Sequence, residues 1–362
     1  MPITSLSAAF TLSINLTKLD CNYSIETLIK AEAKRLGFAL CGITTPNVDF
    51  AFEHFQAWIE REMYGEMTYL ARPDSLAKRK DPELLLPNCK SVISLGLPYP
   101  QPSNTGNIAA FARVPDYHVV IRDKLKQLAG FIEKTLETEL TWYAAVDSSP
   151  VLEKSLALKA GLGLIGKHTL LINQTFGTWF FLGELFLDIA LLPDSPLSGN
   201  YCDACDLCVK ACPTGALTGD KTMNASKCLS YLTIEHRGDI PSDVRQRMSG
   251  QVIGCDICQI VCPMNQRATP ASTGYEWQSV LPANLNLEAC LSLDEKAFKE
   301  MFAGTSVLRL KYKSFRRNLI LALAVSGKPE ALEALKDAMA EEQDPLCKET
   351  MLWGIKYLNQ SL

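Results

Sequence analysis

The residues of this chain with the clearest chemical purpose are cysteines. The run Tyr201-Cys202-Asp-Ala-Cys205-Asp-Leu-Cys208-Val-Lys-Ala-Cys212-Pro213 spaces its thiols as CxxCxxCxxxCP. In that pattern three close cysteines hold three corners of one iron–sulfur cube, while the fourth, turned away before the proline, reaches a second cube. A second run, Cys255-Asp-Ile-Cys258-Gln-Ile-Val-Cys262-Pro263, repeats the motif with Val252 where its first cysteine belongs. Cys228 is the one nearby thiol left to fill that place, and a turn over Asp220 to Asn224 can bring it back. Crossed ligation then gives Cys202, Cys205, Cys208 and Cys262 for one 4Fe-4S cluster, and Cys212, Cys228, Cys255 and Cys258 for the other. Structural zinc uses separated CxxC pairs and fits three consecutive CxxC steps poorly. Clusters of this type pass one electron per step.

Upstream, Val146-Asp147-Ser148-Ser149-Pro150-Val151-Leu152-Glu153 offers a carboxylate at a strand end or helix entry, a place aspartate often fills for structural reasons alone. Gly161-Leu-Gly163-Leu-Ile-Gly166-Lys167-His168 matches GxGxxG and falls one residue short of a phosphate-binding loop. Both nucleotide readings need a strand before the glycines and a helix after. The order here is reversed, with a helix expected over 150–160, capped by Ser149 with Pro150 at its first position, and a strand over 170–173. Glycines that let the backbone approach a large flat ligand suit the segment better. His54, His118, His168 and His236 show no metal-ligand spacing, and surface or core roles are expected of each.

Near the C-terminus, Arg309-Leu-Lys311-Tyr312-Lys313-Ser-Phe315-Arg316-Arg317 gathers five positive charges and two aromatics with no acid. Such a run can neutralise phosphates and stack unpaired bases, although a basic run is more often a solvated helix face.

These groups need a scaffold, and 362 residues with 47% hydrophobic content allow two or three compact units. A net charge of -4 excludes only a wholly basic nucleic-acid protein. Eight of thirteen cysteines within one short stretch, with no export signal, argue for metal in a reducing compartment rather than disulfides. Cys21, Cys41, Cys89, Cys290 and Cys347 are expected to be core thiols. No run reaches the roughly eighteen apolar residues of a membrane span. Periodicity predicts helices over 23–36, 49–64 and 118–137, with strands over 38–43 and 91–97 and a short buried strand over 179–187. This alternation indicates an α/β domain. Beyond Pro263, helices are predicted over 293–302, 315–326, 329–340 and 345–358, the last three joined by short proline-containing links that suggest a HEAT-like repeat. The expected order is an extension over 1–20, an α/β catalytic domain over 21–195, a ferredoxin-like domain over 196–268 and a helical domain over 269–362.

Taken together, Asp147-Ser-Ser-Pro-Val-Leu-Glu153, Lys159-Ala-Gly-Leu-Gly163 with Gly166-Lys167 and Leu170-Leu-Ile172, Phe181-Leu-Gly-Glu184 and the two cysteine runs closely resemble the epoxyqueuosine reductase family. The resemblance extends from about Leu28 into the helical tail. It departs at Ser149, where the family usually has alanine, and at Leu164, where it usually has an aromatic. The resemblance implies cobalamin beside the two clusters and reduction of epoxyqueuosine at the tRNA wobble position, with Asp147 as proton donor. It points to Arg72, Gly161, Gly163, Gly166, Lys167, Leu171, Leu182, Ser230 and Asp256 around the cobalamin. It makes the basic residues Arg309, Lys311, Lys313, Arg316 and Arg317 a tRNA surface. An aspartate with an ordinary pKa near about 3.9 is ionised at neutral pH, so the donor role demands that the site raise it. An external low-potential electron donor, a monomer and a cytoplasmic location are expected. Two other readings stand: a reductive dehalogenase-like cobalamin enzyme, disfavoured because no twin-arginine signal is seen, and a plain ferredoxin, which needs only the cluster region.

Overall fold

The computed structural model describes residues 23–269 and 279–361. The extension expected over 1–20 and the lone Cys21 lie outside the described residues. The chain opens with α1 (Ile25–Arg35), whose N-cap Ser24 accepts from the Thr27 N–H at 3.3 Å. There follow β1 (Leu40–Thr44), α2 (Asp49–Glu60), α3 (Pro73–Lys80), β2 (Ser91–Pro98), α4 (Tyr117–Leu136), β3 (Trp142–Ala145), α5 (Glu153–Lys159), β4 (Leu164–Ile165), β5 (Leu171–Ile172) and β6 (Phe180–Leu187).

Strands β1, β2, β6 and β3 lie side by side in that order, each pair antiparallel. Helices and strands therefore mix as the alternation suggested. The two central strands, β2 and β6, read as near-continuous apolar runs because both their faces are covered. Phe181, Leu185 and Leu187 face the core built with α1 and α4, where a Cβ on Gly183 would meet Ile121 at 2.6 Å. Phe180, Leu182, Glu184 and Phe186 alternate onto the opposite face, under α5.

Helix α5 begins at Glu153, not at Pro150. Asp147 takes a left-handed φ of 50°, and Val151 N–H closes a turn on Ser149 C=O at 2.9 Å, so the chain is still turning where the helix was expected to start. Glu153 then reaches back to the Asp147 N–H.

The cluster region is built of short helices, α6 (Leu207–Ala211), α7 (Leu229–Ile234), α8 (Ser242–Arg245), α9 (Ile257–Ile260) and α10 (Pro263–Gln266). Helices α6 and α9 pack together and so bring the two cysteine runs face to face. The second run is fastened to the sheet by buried Asn265, whose Oδ1 accepts from Thr178 N–H at 2.7 Å and whose Nδ2 donates to Gln259 C=O at 2.7 Å.

The tail comprises α11 (Leu287–Leu291), α12 (Glu295–Met301), α13 (Lys311–Ala324), α14 (Pro329–Glu341) and α15 (Pro345–Ser361). Helix α13 is its buried axis, packed on α11, α14 and α15. Its core joins that of the cluster region through Leu321 against Leu232 and Met248. A further cluster joins Ile108 and Ala112 to Phe298, Phe302 and Phe315. Among the described residues no helix is long and apolar enough to cross a membrane.

Candidate active site and cluster domain

Asp147 lies in the turn after β3, and its carboxylate is half exposed. Its Oδ2 accepts from Tyr117 Oη at 3.0 Å and meets His118 Nε2 at 3.0 Å. On the other side of the imidazole, His118 Nδ1 meets Asp116 Oδ1 at 2.7 Å. These three residues form the entry of α4, where Asp116 also caps the helix through the His118 N–H. Tyr117 stacks on Phe181 at 4.2 Å between centroids, which fixes the ring from the sheet side.

The electrostatics reverse the expectation for Asp147. Enclosure by the cleft walls pushes its carboxyl upward, but hydrogen bonds from His118 and Tyr117 and the charges of His118 and Arg309 outweigh this, leaving it below the ordinary value. Burial opposes protonation of His118, yet the hydrogen bonds and charges of Asp147 and Asp116 prevail and raise it. Burial and then Asp147 push the Tyr117 phenol far up. Both shifts favour a carboxylate on Asp147 and a proton on His118. Spacing gave His118 no chemical role, because its partner lies about thirty positions away and meets it only through the fold.

The thiols form two neighbourhoods. Cys208 has Cys202, Cys262 and Cys205 as electrostatic neighbours. Cys255 has Cys228 and Cys212, and Cys258 has Cys255 and Cys228 together with Cys208 of the first group. Among the described residues no three His, Cys, Asp or Glu side chains gather closely enough to hold one metal ion. Backbone N–H groups of Lys167 and Ala216 point at Cys202 Sγ and Cys212 Sγ, each at 3.3 Å, the kind of contact that tunes cluster potential.

Several residues expected around the cobalamin are committed elsewhere. A Cβ on Gly163 would lie 2.3 Å from Ile172 C=O, and one on Gly166 would lie 2.6 Å from Ile172 Cδ1 and 2.7 Å from His168 Cε1. On Gly161, with its φ of 76°, it would meet Ser195 C=O at 2.6 Å. These glycines admit the protein's own close packing around the β4–β5 hairpin. Lys167 Nζ donates to Asp203 C=O at 3.0 Å and Cys205 C=O at 2.8 Å, so it fastens the first cysteine loop. Asp256 is buried, and its Oδ2 accepts from Ala110 N–H at 2.7 Å. Leu171 is buried in the core beneath α5. Leu182 and Ser230 are partly exposed and Arg72 is exposed. Three buried donors have no hydrogen-bond partner among the described residues: Arg113 Nη2, His168 Nε2 and Trp179 Nε1. His168 Nδ1 accepts from Leu170 N–H at 3.2 Å, which places the ring proton on Nε2. Unsatisfied buried donors of this kind suit the amide-fringed edge of a corrin ring, which presents many acceptors.

The basic run divides. Arg317 is fully buried and binds the carbonyls of His236, Gly238 and Leu232. Arg316 is bound to Glu342 and to Leu291 C=O. Both are therefore withdrawn from any phosphate, since helix α13 uses them to join its neighbours, and this corrects their assignment to a tRNA surface. Lys313 pairs with Asp344 at 2.9 Å and remains exposed, as does Lys311. Arg309 pairs with Glu235 at 2.7 Å, and its charge reaches Asp147 and Tyr69. The tail thereby supplies a cation to the cleft.

A sheet-borne acid site in one chain with ferredoxin-type cysteine runs fits an iron–sulfur oxidoreductase. A family model for a 4Fe-4S double cluster binding domain matches residues 201–265, and one described as "Epoxyqueuosine reductase QueG, DUF1730" matches 79–148. The chain is 41% identical over 308 residues to the epoxyqueuosine reductase of Leadbetterella byssophila, covering 82% of this chain and 97% of the relative. It is 35% identical over 350 residues to that of Escherichia coli, covering 93% and 90%. Among solved structures, the epoxyqueuosine reductase of Streptococcus thermophilus superposes with a TM-score of 0.83 at 31% identity, covering 93% of this chain and 90% of that one. An epoxyqueuosine reductase from Bacillus subtilis, solved with its catalytic aspartate loop swung out of the active site, gives 0.82 at 28% identity over 92% and 91%. Another, solved with an epoxyqueuosine-modified tRNA stem loop, gives 0.79 at 28% identity over 93% and 100%. The chain belongs to the epoxyqueuosine reductase family.

Proposed function

We propose that this protein reduces epoxyqueuosine to queuosine at the wobble position of tRNA, the last step of queuosine formation. The observation that carries the reading is the half-exposed Asp147 carboxylate, held by His118 and Tyr117, in a chain that also carries the two cysteine runs. The relative solved with a modified stem loop supports tRNA as the partner.

Converting an epoxide to an alkene breaks two C–O bonds and releases water, which takes two electrons and two protons. Cys202, Cys205, Cys208 and Cys262 would hold one 4Fe-4S cluster, and Cys212, Cys228, Cys255 and Cys258 the other, both fed by an external low-potential donor. Cobalamin, when bound, supplies a low-valent centre that activates the substrate carbon. Leu182, Ser230 and Arg72 remain available to line it, with the N–H groups of His168 and Trp179 as further donors.

The chain's own work is to hold and deliver protons. Asp147 faces the cleft and contacts the departing oxygen, while His118 behind it stores the proton and Asp116 orients the imidazole. Asp147 acts as donor by passing on what His118 holds, so its own low pKa is no obstacle. Lys311 and Lys313, with Arg309 at the cleft, form the tRNA-facing cations. The stacked α13–α15 helices are read as a HEAT-like support for them. A monomer in the cytoplasm accords with this role.

The test is anaerobic reconstitution with iron, sulfide and cobalamin, followed by reductant and tRNA carrying epoxyqueuosine. Loss of one oxygen from the modified base is the expected result. No loss, with both clusters and cobalamin bound, overturns the reading. Asp147→Asn is expected to lower turnover by about a hundredfold or more with cofactors retained.

A further inference from the structure

Two carboxyl groups beneath the Asp147 turn have no part in the site described so far. Glu184 lies mid-strand in β6, directly opposite Ser94 on β2 and Ala145 on β3, and is 0% exposed. Ser94 Oγ donates to its Oε1 at 3.4 Å, whereas Oε2 has no partner among the described residues. Glu153, the first residue of α5, brings its own carboxyl against Glu184 from above. From there Glu153 Oε1 accepts the Asp147 N–H at 2.5 Å, six residues back along the chain.

That bond sits where the backbone needs it. Asp147 adopts φ of 50°, a left-handed conformation that aspartate reaches more readily than most residues and that a local hydrogen bond stabilises. We propose that Glu153, supported from below by Glu184, is the positioning residue that holds the Asp147 turn in its reactive conformation through the N–H···Oε1 bond. The proposal rests on the function given above. In the Bacillus subtilis relative, the catalytic aspartate loop was found swung out of the active site. A loop able to swing requires a latch to bring it back, and here the latch is a side chain of the following helix.

Protonation supports the same geometry. Burial first, then the charge of Asp147, pushes Glu153 up to about 8. Burial and Glu153 push Glu184 well above the usual range. The groups facing Glu153 are Asp147 and Lys154 beside it and Glu184 from β6, with Arg79 of α3 and Tyr117 of α4 within electrostatic reach. At neutral pH the pair is protonated and can remain in contact. Above about 8 Glu153 ionises beside Asp147, which sets like charges at the turn while making Oε1 a stronger acceptor for the Asp147 N–H.

The experiment compares reconstituted full-length wild type with Glu153→Ala and Glu153→Gln by amide hydrogen exchange over 144–150 and by steady-state turnover. Glu153→Ala is expected to speed exchange at Asp147 by about tenfold or more. It should also lower kcat by about tenfold or more while leaving KM for tRNA within about twofold. Glu153→Gln keeps an oxygen that accepts from Asp147, so its protection and kcat should stay near wild type. Should Glu153→Ala lose its cluster absorbance, Glu153→Leu takes its place, removing the acceptor while keeping bulk. Wild-type exchange in the acceptor-less variant, or a Gln variant as impaired as the Ala one, overturns the proposal. Absence of turnover in wild type would instead defeat the functional reading, and the exchange measurement would still test the latch.

Discussion

At the scale of single residues, the site is a chain of proton-binding groups ordered by environment. Asp116, His118 and Asp147 alternate acid, base and acid, and the two acids favour the charged form of the imidazole between them. The raised pKa of His118 means that its proton is present at low pH and is lost as pH climbs through a value above the ordinary 6.5. Turnover limited by proton delivery should therefore fall along an alkaline limb, and His118→Gln should remove that limb and reduce kcat by about a hundredfold. A rate profile that is identical in both proteins would exclude His118 from the reaction. The sign is opposite to the usual carboxylate case for Glu153. The native fold keeps its proton and the unfolded chain releases it, so stability declines as pH rises from 4.5 toward about 8. Glu184 shares this direction, and Glu184→Gln should melt higher than wild type at pH 8, with the gap closing toward pH 5. Asp147 was legible in the sequence because the motif around it is distinctive. His118 and Glu184 were not, since each acquires meaning from a neighbour that only the antiparallel sheet and its covering helices provide.

At the scale of elements, helix α13 shows how composition can mislead. Five cations in nine residues suggested a binding face, but the helix is the axis of the tail and is covered on several sides. Its guanidinium groups are used where helix ends meet, capping carbonyls that would otherwise be buried without partners. Arg317→Ala should consequently destabilise the fold by about 3 kcal/mol or more, measured by denaturant titration, because three carbonyls and Asn318 Oδ1 lose their donor. Lys311→Ala together with Lys313→Ala should leave stability almost unchanged and should reduce the salt dependence of tRNA binding. The reverse pattern would restore the reading of the whole run as a nucleic-acid face. Helix α5 taught a similar lesson at its start. Pro150 and Ser149 carry good initiation signals, yet the left-handed Asp147 and the turn at Ser149 defer the helix to Glu153.

At the scale of the whole molecule, the cysteine constellation was legible almost completely. Ligand spacing is a property of the chain itself, and the stretch that carries it matches a 4Fe-4S double cluster binding domain over 201–265. Cys228→Ala should lower the iron content of reconstituted protein from about eight to about four per chain, with the loss confined to one cluster. What spacing could not supply is how closely the parts are joined. Asn265 ties the second cysteine run to the sheet, and Leu321 ties the tail to the cluster region.

The crossing of the two cysteine runs also has a consequence for the order in which the protein is made. With the ligand sets proposed above, the quartet that begins with Cys212 is complete once Cys258 leaves the ribosome. The quartet that begins with Cys202 must wait for Cys262. The metal site that starts first in the chain is thus the last able to close, and for the whole of that interval its three earliest thiols emerge open to oxygen.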